Sequence, residues 1–276
     1  MTRKNNKTTF AKKSFGQNFL VDKNYIDKII SALAPQKGET IVEIGPGRGA
    51  LTERLLESGA NVVAVELERD MIAFLSDKFE GFENFELVES DALKVDFSTL
   101  IDPKSEIPNL KSKLVANLPY YISTAILQKL IAQREVFSEM VLMFQREVVE
   151  RITAEVGNKE RGFLTVLTEA SLRAEKLFDV PPSAFRPAPK VWSAVVRLTP
   201  NDGDELPDEK LFREIISAGF VQKRKTILNN LKNAPPDLKE KIGNAEELLK
   251  KAEIVPNRRA ETLSFEEWKQ ILAVLT

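Results

Sequence analysis

The run TIVEIGPGRGALTERLLESG, residues 40–59, changes character twice. Residues 40–44 are β-branched at every position but Glu43, the pattern of a short buried strand. Three glycines follow at alternate positions, Gly45, Gly47 and Gly49. From about Ala50 to Glu57 the apolar residues fall at helical spacing, and Gly59 stops the run. A glycine turn between a strand and a helix lets a ligand approach the backbone closely. The helix N-terminus adds free N–H groups. The dinucleotide fingerprint also needs glycine at position 50, where this chain has Ala50.

The same alternation continues on both sides. Tyr25 to Leu33 shows helical spacing and is ended by Pro35 and Gly38. NVVAVEL (61–67) is a second β-branched strand, with a helix near Arg69–Lys78. FELVESDAL (85–93) reads as a third strand running into an acidic loop. KLVAN (113–117) is a fourth, followed by the helix TAILQKLI (124–131). EMVLMFQ (139–145) is a fifth, continued by the helix REVVERIT. Strands alternating with helices predict an α/β fold with a doubly wound, mainly parallel sheet. A helix-like stretch from Arg161 leads into ASLRAEKLFDV. PPSAFRPAPKV (181–191) is expected as extended loop. WSAVVRLTP (192–200) is expected as an antiparallel edge strand beside the 171–178 region. NDGDELPDE (201–209) is a linker by composition, and residues 210–276 are helix-patterned throughout. The expected domains are a basic arm (1–20), a ligand-binding α/β domain (21–202) and a small all-α C-terminal domain (203–276).

Composition narrows the chemistry. The chain has 276 residues, no cysteine and no histidine. Disulfides, Cys-ligated zinc, thiol nucleophiles, Ser-His-Asp triads and imidazole bases are excluded. The absence of a long apolar run argues against a membrane span. The polar, basic N-terminus does not read as a secretory signal. The expectation is a cytoplasmic monomer with no metal and no membrane partner. Net charge is −1, but its distribution is uneven. Residues 1–20 carry Arg3, Lys4, Lys7, Lys12 and Lys13 and no acid. Residues 222–232 carry Lys223, Arg224, Lys225 and Lys232 and no acid. Each stretch suits phosphate contact, but from charge alone a solvated tail and a solvated helix face are the favoured readings.

Polar residues stand where the strands end. Glu66 closes the second strand, placed to accept hydrogen bonds from ribose hydroxyls, and Asp91 follows the third, able to receive the amine of an adenine. Asn117 closes the fourth and opens NLPYYIST (117–124), which holds two of the three tyrosines in the chain. An adenine amine is a poor nucleophile because its lone pair is delocalised into the ring. The Asn117 side-chain oxygen and the Leu118 carbonyl can draw its two N–H groups into a geometry that frees the lone pair. Pro119 stiffens the turn and offers no competing N–H. Tyr120 gives the base a flat surface, with stacking of about 1–3 kcal/mol, and a π face for positive charge. Such a site needs no strong base, since positioning carries the catalysis.

At these residues the chain resembles a known family, the small-subunit (16S) ribosomal RNA adenine-N6,N6-dimethyltransferases, with the related erythromycin-resistance rRNA methylases. FGQNFL (15–20), EIGPGRGALT (43–52), VELERD (65–70), SDAL (90–93), NLPYYIST (117–124), FQREVVERI (144–152) and FRPAPKVWSAVVRL (185–198) match it in order. The resemblance implies a Rossmann-like class I methyltransferase that uses S-adenosyl-L-methionine. It implies dimethylation of two adjacent adenosines in a hairpin near the 3′ end of small-subunit rRNA, with the immature 30S subunit as partner. It also implies that Asn18, Leu20, Gly45, Gly47, Glu66, Asp91 and Asn117 hold the cofactor. Asn117, Leu118, Pro119 and Tyr120 would form the reaction corner, and Phe185 would help hold a flipped base. The stretch VQKRKTILNNL resembles a family segment in which Lys223, Arg224 and Lys225 would meet rRNA phosphates. Some family members have Asn after the NLPY tyrosine, where this chain has Tyr121. Three other readings are a ribosome-assembly factor of the same fold, a 23S rRNA methylase of the resistance type and an NAD(P)-linked oxidoreductase. The missing glycine at position 50 and the lack of His and Cys disfavour the last.

Overall fold

The computed structural model describes residues 18–101, 111–119, 122–201 and 206–276. The basic residues of the arm, Tyr120, Tyr121 and the expected domain boundary near 203 lie outside the described residues. Two compact units are present. One comprises the described residues up to Arg146 together with Lys176–Pro200, and the other Glu147–Glu175 with Asn201–Thr276.

In chain order the elements are β1 (Phe19–Leu20), α1 (Lys23–Leu33), β2 (Thr40–Ile44), α2 (Ala50–Glu57), β3 (Asn61–Glu66), α3 (Arg69–Lys78) and β4 (Phe85–Glu89). They continue with β5 (Ser112–Asn117), α4 (Ser123–Ala132), β6 (Phe137–Gln145), α5 (Arg146–Ile152), α6 (Phe163–Glu169), β7 (Leu172–Val180), β8 (Phe185–Arg186) and β9 (Ser193–Pro200). Helices α7 (Glu209–Gly219), α8 (Ile227–Lys232), α9 (Pro236–Ile242), α10 (Ala245–Lys251) and α11 (Phe265–Leu275) follow. No described residue beyond Pro200 is in a strand. Among the described residues no helix is long and apolar enough to cross a membrane.

The seven-stranded sheet has the order β4-β3-β2-β5-β6-β9-β7. β2, β3, β4, β5 and β6 pair in parallel, and β9 pairs antiparallel to β6. The switch point lies between β2 and β5, where ligands of open α/β sheets bind. The inner parallel strands are largely apolar because both faces are covered: in β3, Val62 to Glu66 are all buried. The sheet is therefore the doubly wound α/β arrangement expected from the sequence.

Two local expectations are corrected. Strand 193–200 is not an edge: it lies between β6 and β7, and β7 is the outermost strand. The burial explains it. Ser193 through Val196 and Leu198 are buried, as an interior strand requires, whereas β7 exposes Arg173, Glu175 and Lys176. The proline-rich stretch 181–191 is not loop throughout. Phe185 and Arg186 pair antiparallel with Leu20 and Phe19 in a two-stranded ribbon.

Two interactions tie the glycine turn to the core. Gly49 caps α2 at φ +72, and a Cβ there would lie 2.6 Å from the ring of Phe79, which is buried. Glu43, buried on β2, accepts a hydrogen bond from the Thr52 hydroxyl of α2 at 2.6 Å. Burial first, and the nearby charge of Glu66, raise its pKa from the ordinary 4.5 to about 7, against the opposing Thr52 bond. The folded protein therefore holds this proton more tightly than the unfolded chain.

Gly49→Ala combines a left-handed backbone with overpacking against a fixed ring, and should destabilise by roughly 2–4 kcal/mol in denaturant unfolding; an unchanged midpoint would show that the ring yields freely. Glu43 contributes stability that is fully present below pH 4.5 and lost as the pH rises through about 7. Glu43→Gln keeps an acceptor for Thr52 and removes the titration. Unfolding free energies at pH 4.5 and 8 should therefore differ less in the variant than in wild type, by on the order of 3 kcal/mol.

Candidate active site

The carboxyl ends of β2, β3, β4 and β5 open onto one cavity of about 1140 Å³ including its mouth. Its walls include Asn18, Leu20, Gly45, Gly47, Glu66, Asp91, Asn117, Leu118, Pro119 and Phe185. The structure thus gathers at one place every described residue that the sequence assigned to cofactor or reaction corner. Lys223, Arg224 and Lys225 belong to the other compact unit. They are exposed between α7 and α8, and Lys223 Nζ donates to the Lys159 carbonyl at 3.1 Å.

The glycine turn forms the first wall. Gly45 sits at φ +66 with nothing within 4 Å of where a Cβ would stand, so a side chain would occupy cavity space that glycine leaves for a ligand. Lys78 Nζ donates to the Arg48 carbonyl at 3.1 Å and holds the turn from α3. Glu66 holds it from β3. Its Oε1 accepts from the N–H groups of Leu67 at 2.9 Å and Glu68 at 3.0 Å, and the Gly47 N–H also stabilises its charged form. Burial nevertheless dominates and raises its pKa. Glu66 is thus both a fastener of two loops and an acceptor at the cavity wall. Asp91 has one oxygen engaged, Oδ1 accepting from Leu93 N–H at 2.9 Å.

The corner after β5 forms the opposite wall. Asn117 Nδ2 donates to the Asn18 carbonyl at 3.4 Å. A carbonyl only accepts, so the amide is fixed with its nitrogen toward Asn18, and Oδ1 is what the side chain offers a ligand. Leu118 N–H donates to Met143 O at 3.3 Å. Among the described residues nothing donates to the Leu118 carbonyl. The described part of the corner presents two acceptors, Asn117 Oδ1 and the Leu118 carbonyl.

Sequence reasoning missed several features. Glu43 and Arg48 line the cavity too, and the Arg48 guanidinium lies 4.9 Å from the centroid of the Phe19 ring. A carboxylate inside the apolar run 40–44 was the available signal for Glu43. The β1–β8 ribbon brings Leu20 opposite Phe185. Phe185 is only 1% exposed, so it forms part of the cavity's floor rather than a free surface ring. The carboxylates of Glu43, Glu66, Glu68 and Asp91 stand on the wall with one guanidinium, that of Arg48. Such a set of acceptors suits a ligand bearing positive charge, hydroxyls and an amine. With the open space at Gly45 it fits S-adenosylmethionine. Among the described residues no group of three or more acidic side chains is placed to hold a metal ion.

Comparison with known proteins agrees with this geometry. The model of the family "Ribosomal RNA adenine dimethylase" matches residues 8–271. The ribosomal RNA small subunit methyltransferase A of Lactococcus lactis is 42% identical over 266 residues, which cover 96% of this chain and 90% of that protein. A dimethyladenosine transferase from Plasmodium falciparum superposes with a TM-score of 0.76 at 27% identity, over 92% of this chain and 95% of that one. The 23S rRNA methyltransferase ErmE has the same fold, with a TM-score of 0.68 at 23% identity over 94% and 99% of the two chains. The chain belongs to the ribosomal RNA adenine dimethylase family and is an rRNA adenine dimethyltransferase with the Rossmann-like α/β fold of class I methyltransferases.

Proposed function

We infer that this protein dimethylates the N6 amines of two adjacent adenosines in the 3′-terminal hairpin loop of small-subunit (16S) rRNA during ribosome assembly in the cytoplasm. The observation that carries this reading is the Asn117 amide, turned with its nitrogen toward the Asn18 carbonyl and its acceptor oxygen left over, on the cavity that Glu66 and the glycine turn line.

S-adenosylmethionine supplies an electrophilic methyl group carried on a sulfonium. Glu66 would hold its ribose hydroxyls and Asp91 its adenine amine, the turn through Gly45 and Gly47 would pass beside it with open space at Gly45, and Asn18, Leu20 and Asn117 would complete the pocket. Asn117 Oδ1 and the Leu118 carbonyl accept the two N–H groups of the target amine and turn its lone pair toward the cavity. Pro119 keeps that backbone rigid. Tyr120 stacks on the flipped base, with Phe185 supporting the cavity floor. Loop adenosines cost less to unstack than paired ones. Lys223, Arg224 and Lys225 meet rRNA phosphates from the helical C-terminal domain, and the monomer acts without a metal. Orientation replaces a side-chain base, and the surplus proton of the methylated nitrogen would pass to water, which suits a chain without histidine or cysteine.

Labelled methyl transfer to immature small subunits tests the corner. Asn117→Ala should unfold near the wild-type Tm and lower the transfer rate by about 10²–10³-fold, the usual effect of removing one oriented polar group from a reaction centre. Transfer at the wild-type rate would sink this mechanism.

A further inference from the structure

The described chain has one tryptophan that the fold buries completely, Trp268, and one that it leaves 44% exposed, Trp192. Trp192 immediately precedes β9 and extends the β6–β9 ladder one step past the Gln145–Ser193 pair, its carbonyl accepting the Arg146 N–H at 2.9 Å. The Arg146 guanidinium lies over the indole, 5.8 Å from its centroid. β6 also pairs with β5, Met143 beside Asn117. Because β9 runs antiparallel, its first residues emerge on the edge where Asn117 ends β5. Trp192 stands two strands to the side of Asn117 and three residues farther along the ladder, about 14 Å at ordinary strand geometry. Two or three nucleotides of single strand cover that distance.

The approach to Trp192 is stiff and basic. Residues 186–192 contain two prolines, Pro187 and Pro189, the cations Arg186 and Lys190, and no acid. Arg186 is itself fixed to the carbonyls of Ser183 and Phe185 at 3.2 and 2.8 Å. A rigid, half-exposed aromatic plane among fixed cations is the arrangement that holds unpaired bases by stacking.

We propose that Trp192, braced by Arg146, is a stacking platform for an unpaired base flanking the adenosine held at Asn117. It positions the RNA and takes no part in the methyl transfer. The proposal rests on the functional reading above, and it concerns residues that reading does not use.

The two tryptophans make it measurable, because Trp268 is buried and gives a steady background. A single-stranded adenosine-rich RNA oligonucleotide should quench the emission of the full-length protein, and its abasic counterpart should not. Trp192→Ala should abolish the quenching and raise the KM for immature small subunits about 5- to 150-fold with little change in kcat. Trp192→Phe should recover most of the KM. Equal quenching by the abasic strand, or a KM for Trp192→Ala within twofold of wild type, would overturn the platform while leaving the catalytic reading intact. Stacking that persists in a wild-type enzyme unable to methylate small subunits would sink the catalytic reading and leave the platform standing.

Discussion

Parallel pairing of the central strands fixes where chemistry can occur in this molecule. Ile44 lies beside Val65 on one side and Ala116 on the other, and Glu66 lies beside Glu89. In that register every strand delivers its next residue to the same edge. Gly45, Glu66, Asp91 and Asn117 are far apart in sequence and belong to four connections, yet none needs a long loop to reach a common ligand. A slip of one residue in any pair would exchange the side chains packed on the two faces of the sheet and take its polar end residue from the cavity.

The edge is then stiffened by bonds that leave part of each functional group available. Glu66 anchors the loops at Leu67 and Glu68 through one oxygen. Asn117 uses its nitrogen to hold Asn18. Glu43 joins β2 to α2 through Thr52. These side chains are positioned by their own partners before any substrate arrives, which is the condition for catalysis by orientation. The chain has neither imidazole nor thiol with which to compensate for a loose geometry.

Much of this was legible in the sequence because the signals were redundant. The runs 40–44, 61–66 and 113–117 are largely apolar, and glycine, acid or amide follows each of them. The β1–β8 ribbon was not legible: two residues have no period, and their pairing partners come from opposite ends of the unit. The interior place of β9 was written in its unbroken run of small and apolar residues, but the neighbouring proline-rich stretch gave it the look of a sheet margin. Glu43 was hidden because a buried carboxylate inside a strand reads as an interruption of the pattern. Its partner, Thr52, is one helical turn into α2 and carries no signal of its own. Trp192 is unremarkable in sequence, an aromatic residue before a strand. Only its exposure and the Arg146 guanidinium over its ring set it apart from a core residue.

The claim that a geometric corner built on Asn117 marks small-subunit rRNA is settled at the product. Mass spectrometry of the 3′-terminal fragment of that rRNA, from cells with the gene, without it and with Asn117→Ala in its place, reads the outcome at each adenosine. Two adjacent N6,N6-dimethyladenosines in the first sample, and unmodified adenosines at both positions in the other two, are the expected result. Full dimethylation in cells lacking the gene, or in cells carrying Asn117→Ala, would contradict it.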